Sequence, residues 1–246
     1  MPKLFIIIQA RMTSTRLPGK ILLPLRNTTV LGTMIERLEL LKSHIIIATT
    51  NDGSEAPIVD FCNEHDVSYF RGDTENVLSR YYLAAKEFGG QAGDIIVRLT
   101  SDCPLIDSDV VNNVISLFKK GNCDIAAASS NCGFPRGLDT EVFSFDLLET
   151  AFNNATEDYE KEHVTPYIYL TNKDKYRVAE FSSPVDMSSY RITLDEPSDY
   201  EVIKGMYEIL GNTTKFTYLE LVDALDKHPE ISKLNQHIEQ KKVTHG

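Results

Sequence analysis

The chain has 246 residues, long enough for one full hydrophobic core, and a formal net charge of −11. That acidic balance argues against nucleic-acid backbones and anionic membranes as partners, unless a local basic patch overrides it. The four cysteines form no CxxC pair and complete no zinc pattern with nearby histidines, so they read as small core residues of a reducing compartment. No long apolar span or signal-peptide pattern is visible, and a cytoplasmic protein is expected.

"LFIIIQA" (4–10) reads as a strand covered on both faces, because its apolar run is continuous. "TVLGTMIERLELL" (29–41) carries apolar residues at helical spacing and "HIIIATT" (44–50) returns to strand character. A helix over 55–66 and a short strand over 67–73 follow. The stretch 75–89 has a helical apolar stripe ended by glycine, and 94–102 is another buried strand. Residues 107–121 begin with acidic residues and end in Lys-Lys-Gly, the charge order a helix dipole favours, with Asp107 as the expected cap. A strand is expected over 123–130.

This alternation predicts a mixed, mostly parallel α/β sheet flanked by helices. After about residue 130 the rhythm loosens. Residues 188–210 are expected to hold a short strand ending near Asp195 and then a helix, and 217–231 a further helix. The expectation is one domain over 1–246, with a modified second half.

The positive charge concentrates in "QARMTSTRLPGK" (9–20), a polar loop that follows the first strand. Its backbone donors, Arg11 and Lys20 could neutralise a triphosphate, with Arg16 supporting the loop or meeting a second anion. The alternative is a basic surface turn. It is neither a Walker A loop nor a GxGxxG fingerprint.

Asp102 follows directly on a buried strand in "RLTSDCPLIDSD" and suits a hard divalent cation, which takes oxygen ligands and substrate phosphates. Asp195, in "YRITLDEPSDY", either caps the following helix or supplies a second carboxylate to that metal. Arg136 and Asp139 in "PRGLDTEV", with Glu162 and His163 in "YEKEHV", are candidates for an acceptor pocket; His163 reads equally as a structural histidine. Arg71 and Asn51 follow successive strands, where base or sugar contacts are expected.

These motifs occur in a recognisable order. "IIQARMTSTRLPGK", "FRGDTENVLSRYYLAA", "VRLTSDCPLID" and "YRITLDEPSDY" resemble the SpsF-like branch of the cytidylyltransferases, related to acylneuraminate and 3-deoxy-manno-octulosonate cytidylyltransferases. The resemblance implies the Rossmann-like nucleotide-diphospho-sugar transferase fold. It also implies transfer of CMP from CTP to an acidic sugar or related acceptor, with Mg²⁺ and release of diphosphate, in surface-polysaccharide precursor synthesis.

By the same resemblance Arg11 and Lys20 take phosphates, and Gln9 and Ala10 receive the nucleotide, with Ser14 and Arg71 in the same set. Asp102 and Asp195 hold the metal. Glu162 and His163 resemble residues of an acceptor lobe that also contributes to a homodimer, and 131–187, with Arg136 and Asp139, is the expected acceptor and dimerisation region. Other readings are a nucleotidyltransferase for a sugar 1-phosphate or non-sugar acceptor, a glycosyltransferase, and a non-catalytic nucleotide-binding subunit. "DSD" (107–109) has the spacing of a glycosyltransferase metal motif, but its position is that of a helix start.

Overall fold

A computed structural model describes residues 2–239. Strand β1 (Leu4–Gln9) carries Phe5 and Ile7 on one face and Ile6 and Ile8 on the other. The alternation of strand side chains therefore feeds two separate cores, which is why the run is apolar throughout. Each of these buried side chains contributes roughly 1.5–3 kcal/mol through removal from water.

A two-residue ribbon, β2 (Pro24–Leu25) with β3 (Thr28–Thr29), leads into α1 (Val30–Arg37). The Thr29 hydroxyl accepts from the Gly32 amide at 3.0 Å and starts that helix. Then come β4 (Ile45–Thr50), α2 (Ala56–Glu64), β5 (Ser68–Gly72), α3 (Val77–Glu87), β6 (Ile95–Thr100) and α4 (Ser108–Lys119). The second half supplies β7 (Ile125–Ala128), β8 (Thr140–Ser144), α5 (Phe145–Asn154), α6 (Asp158–His163) and β9 (Val178–Glu180). Helices α7 (Pro197–Ile209), α8 (Tyr218–Lys227) and α9 (Pro229–Ser232) complete it.

The expected architecture is present: an α/β fold with one seven-stranded mixed sheet in the order β5-β4-β1-β6-β8-β7-β9. β1 is parallel to both β4 and β6, whereas β8 runs antiparallel to β6 and β7. The chain winds outward from β1 to β5 and then returns to place β6 on the other side of β1. The carboxyl ends of β1 and β6 are thus a topological switch point, where open α/β sheets form a crevice.

Three local expectations need correction. The helix expected to run to residue 41 stops at Arg37 and continues as 3₁₀ turns over Glu39–His44. The helix expected over 217–231 breaks at His228, because the residue before Pro229 is driven out of helical geometry. The strand expected before Asp195 is not one. That segment is extended, but pairs through a single bridge, Arg136 to Arg191.

α1 is tied to the C-terminal region by a buried arginine. Arg37 Nε donates to the Ile106 carbonyl, Nη1 to Thr214 at 2.8 Å and Nη2 to Phe216 at 3.1 Å, with the guanidinium stacked 3.8 Å over the Phe216 ring. Among the described residues no helix is long and apolar enough to cross a membrane.

Candidate active site

The loop after β1 folds on itself before it reaches the sheet again. The Gly19 amide donates to the Met12 carbonyl at 2.9 Å, and Gly19 takes the left-handed backbone that closes the loop (φ 68°). A single 3₁₀ turn follows and drives Lys20 inward, leaving it only 8% exposed.

The Lys20 ammonium is met by three oxygens. It donates to Asp102 Oδ2 at 2.8 Å, to Asp195 Oδ1 at 2.8 Å and to the Leu194 carbonyl at 2.6 Å, which uses all three of its hydrogens. Burial alone would lower its pKa, but Asp102 and Asp195 overcome that and hold it raised, so Lys20 carries its charge. Asp102 stands just past β6 and Asp195 on the extended segment before α7. Residues far apart in the chain therefore converge on one nitrogen at the switch point.

Asp195 is held by more than Lys20. Arg16 Nη2 lies 3.2 Å from its Oδ1 and Arg191 Nη2 is 2.9 Å from its Oδ2. Burial would raise its pKa, yet Lys20, Arg16 and Arg191 bring it down to about 2. Of the two roles open to Asp195, capping is excluded. Glu196 is the N-cap of α7, in a reciprocal box with Asp199. The buried Asp199 carboxylate in turn accepts from the amides of Asp195 and Glu196 and from Arg191. This rigid corner presents Asp195 to the crevice.

The crevice is a cavity of about 800 Å³. Gln9, Ala10, Arg11, Ser14 and Lys20 line one side with Asp102 and Asp195, and Arg11 is exposed on that wall. Ser14 also braces the loop, its hydroxyl accepting from the Leu17 amide at 3.4 Å. Arg136, Asp139, Glu162 and His163 line the same cavity. The Asp139 carboxylate accepts from the Gly137 amide at 3.0 Å. His163 is pushed below its ordinary pKa by burial and by Arg98, against Glu162 and Glu141, which favours neutral imidazole.

Two expectations fall outside this space. Arg71 does not line the cavity; its side chain is 52% exposed and its guanidinium pairs with the buried Glu55. That partner, in the loop before α2, holds Arg71 outside the cavity. Asn51 is exposed and not part of the wall. "DSD" presents no metal pair either, because Asp107 is spent as the cap of α4, accepting from Asp109 at 2.9 Å and Val110 at 3.0 Å.

Cys103 lies in the cavity wall, where burial, Asp102 and Asp139 push its thiol pKa well up. It is a protonated neighbour and not a nucleophile. Among the described residues no group of three or more His, Cys, Asp or Glu side chains could hold a metal. A cation here would need donors from a substrate.

Sequence reasoning missed Arg80, Arg98, Glu141 and Arg191. Arg98 Nη1 donates to Glu141 Oε2 at 2.8 Å, and that carboxylate also accepts from the Thr165 hydroxyl at 2.9 Å. The available signal was a lone arginine inside an apolar strand ("IIVRLT") and another inside an apolar helix stripe ("VLSRYYLAA").

With this geometry in hand, the likenesses to known proteins are informative. A family model described as Cytidylyltransferase matches residues 5–241. The spore coat polysaccharide biosynthesis protein SpsF of Bacillus subtilis is 31% identical, over 94% of this chain and 97% of its own. A protein of Methanocaldococcus jannaschii, MJ1063, is 35% identical over 97% of both chains. A solved cytidylyltransferase from Leptospira borgpetersenii superposes with a TM-score of 0.88 at 36% identity, covering 98% of this chain and 100% of that one. The chain belongs to the cytidylyltransferase family, whose general reaction is CTP-dependent.

Proposed function

We propose that this cytidylyltransferase joins CMP from CTP to an acidic sugar or related hydroxyl-bearing acceptor, releasing diphosphate. The observation that carries the reading is the meeting of Lys20 with Asp102 and Asp195 inside a cavity that Arg98, Arg136 and His163 also line. The Arg136 guanidinium suits an acceptor bearing a carboxylate, with neutral His163 as a hydrogen-bonding neighbour.

A divalent cation fits the donor chemistry. Asp102 and Asp195 are hard oxygen donors, and Asp102 Oδ1 accepts, among the described residues, only from the Cys103 thiol at 3.6 Å. Two carboxylates completed by phosphate oxygens and water are the arrangement Mg²⁺ prefers. When bound there, the cation would neutralise phosphate charge and align the reacting groups.

The protein's own residues do the rest. Arg11 and the loop amides hold the phosphate chain, and the Lys20 ammonium stabilises charge on the oxygens as diphosphate leaves. The acceptor hydroxyl attacks the α-phosphorus in line, positioned by Arg136, Asp139, Glu162 and His163. The α–β phosphoanhydride bond breaks as the new P–O bond forms, its electron pair leaves with diphosphate, the hydroxyl proton passes to water, and no covalent enzyme intermediate is required.

The same reading treats the chain as one nucleotidyltransferase domain over 1–246, acting in surface-polysaccharide precursor synthesis; the naming of SpsF supports that setting. Its four unpaired cysteines support a cytoplasmic location. Homodimerisation through 131–187 is supported by exposed Leu170, Val178 and Val185 in that stretch, with β9 at the end of the sheet.

The test is diphosphate release with Mg²⁺, each of the four nucleoside triphosphates and a panel of acidic sugars. Release with CTP and one such sugar is the expected outcome. Turnover only with sugar 1-phosphates would reject the acceptor class, and full activity in both Asp102→Asn and Asp195→Asn would reject the carboxylate pair.

A further inference from the structure

Most arginines packed into the fold have their charge answered. Arg37 donates to three carbonyls, Arg98 to Glu141, and Arg191 to Asp195 and Asp199. Arg80, on α3, is 1% exposed, and among the described residues its Nε and Nη1 donate to nothing. It nevertheless lines the cavity. A buried guanidinium with two unbonded nitrogens is costly, and a ligand in the cavity could supply the missing acceptors.

The fold makes room for it. A Cβ at Gly72 would come 3.0 Å from Arg80 Cγ and 2.7 Å from the Phe70 ring, so the bare glycine lets the arginine stem pass. Burial, with Arg11 adding, outweighs Tyr81, Asp73 and Asp52 and leaves the guanidinium pKa below its ordinary value. Its charged neighbours are Arg11 after β1, Asp52 after β4 and Asp73 after β5, and Arg11 lines the same cavity. Two guanidiniums that repel each other in the same wall are brought to rest by an oxyanion between them.

We propose that Arg80 is a nucleotide-binding residue that donates to phosphate oxygens of CTP, working with Arg11. This rests on the CTP reading above and adds a contact to it. Arg80 makes good its missing partners when the phosphate chain enters, so binding energy settles a cost left standing in the empty site.

The test is Arg80→Met and Arg80→Lys, measured by thermal unfolding and by titration with CTP, inorganic diphosphate and cytidine. Arg80→Met should be at least as stable as the unsubstituted protein without ligand, because the unpaired charge is gone. Its affinity for CTP and for diphosphate should fall about tenfold to a hundredfold, the range for hydrogen bonds to charged groups, with cytidine unaffected. Arg80→Lys should recover part of that loss.

A marked fall in melting temperature for Arg80→Met would show a structural role and overturn the proposal. Equal losses for cytidine and CTP would overturn it in favour of base recognition, and undiminished CTP affinity would overturn it outright. Should another triphosphate bind in place of CTP, the cytidine reading fails. Loss of that triphosphate in Arg80→Met would still uphold the phosphate role.

Discussion

At the residue scale the site is organised by Lys20. Its ammonium already occupies the point on which Asp102 and Asp195 converge, so in the nucleotide-free protein it competes with any cation for those oxygens. Mn²⁺, used as a spectroscopic probe, should therefore bind weakly to the protein alone and more tightly when CTP is present to draw Lys20 toward phosphate. Equal Mn²⁺ affinity in both states would contradict this. Lys20→Met should lower kcat by about 10²–10³-fold, the loss expected for one preorganised charge-stabilising donor, in a steady-state assay with CTP. His163 gives a pH signature. Its folded pKa lies below the usual value near 6.5, so below that pH the unfolded chain takes up more protons than the folded one. The melting temperature should fall as pH drops through about 6.5, and His163→Asn should flatten that slope; an unchanged slope would remove His163 as its source.

At the element scale, the position of α1 depends on Arg37. Its three carbonyl partners come from the loop before α4 and from the segment before α8, so one side chain ties three elements together. Arg37→Met keeps much of the apolar volume but leaves buried carbonyls unanswered. It should cost about 3 kcal/mol, or roughly 6–12 °C in melting temperature for a chain of this size, by calorimetry. Most elements were legible in the sequence because their apolar period sets them locally: the continuous run of β1 and the stripe of α4 needed no other information. The corner before α7 was not legible. "SSYRITLDEPSDY" has the composition of a strand, but Arg191 and Asp199 fix it through side-chain bonds, leaving only one backbone bridge.

At the scale of the whole molecule, the cavity is shared between the parallel half of the sheet and the half that turns antiparallel. Exposed Leu170, Val178 and Val185 gather in the second half, and Val178 also lines the cavity. If two copies meet there, Leu170→Asp with Val178→Asp should convert a dimer to a monomer in sedimentation. It should also weaken acceptor binding more than CTP binding. A protein already monomeric at assay concentration would remove that interface from the account.

The sequence by itself determined the α/β alternation, the basic loop after the first strand and the two aspartates at successive chain corners. Each of these is written in residues near one another, through apolar period, charge density and turn chemistry. Only the tertiary structure decided that Lys20 bridges Asp102 and Asp195, that Arg71 answers Glu55 outside the cavity, and that Arg80 lies buried in its wall with Nε and Nη1 unbonded among the described residues. Those outcomes depend on which side chains, remote in the chain, compete for the same oxygen atoms, and that competition exists only once the sheet has brought them together.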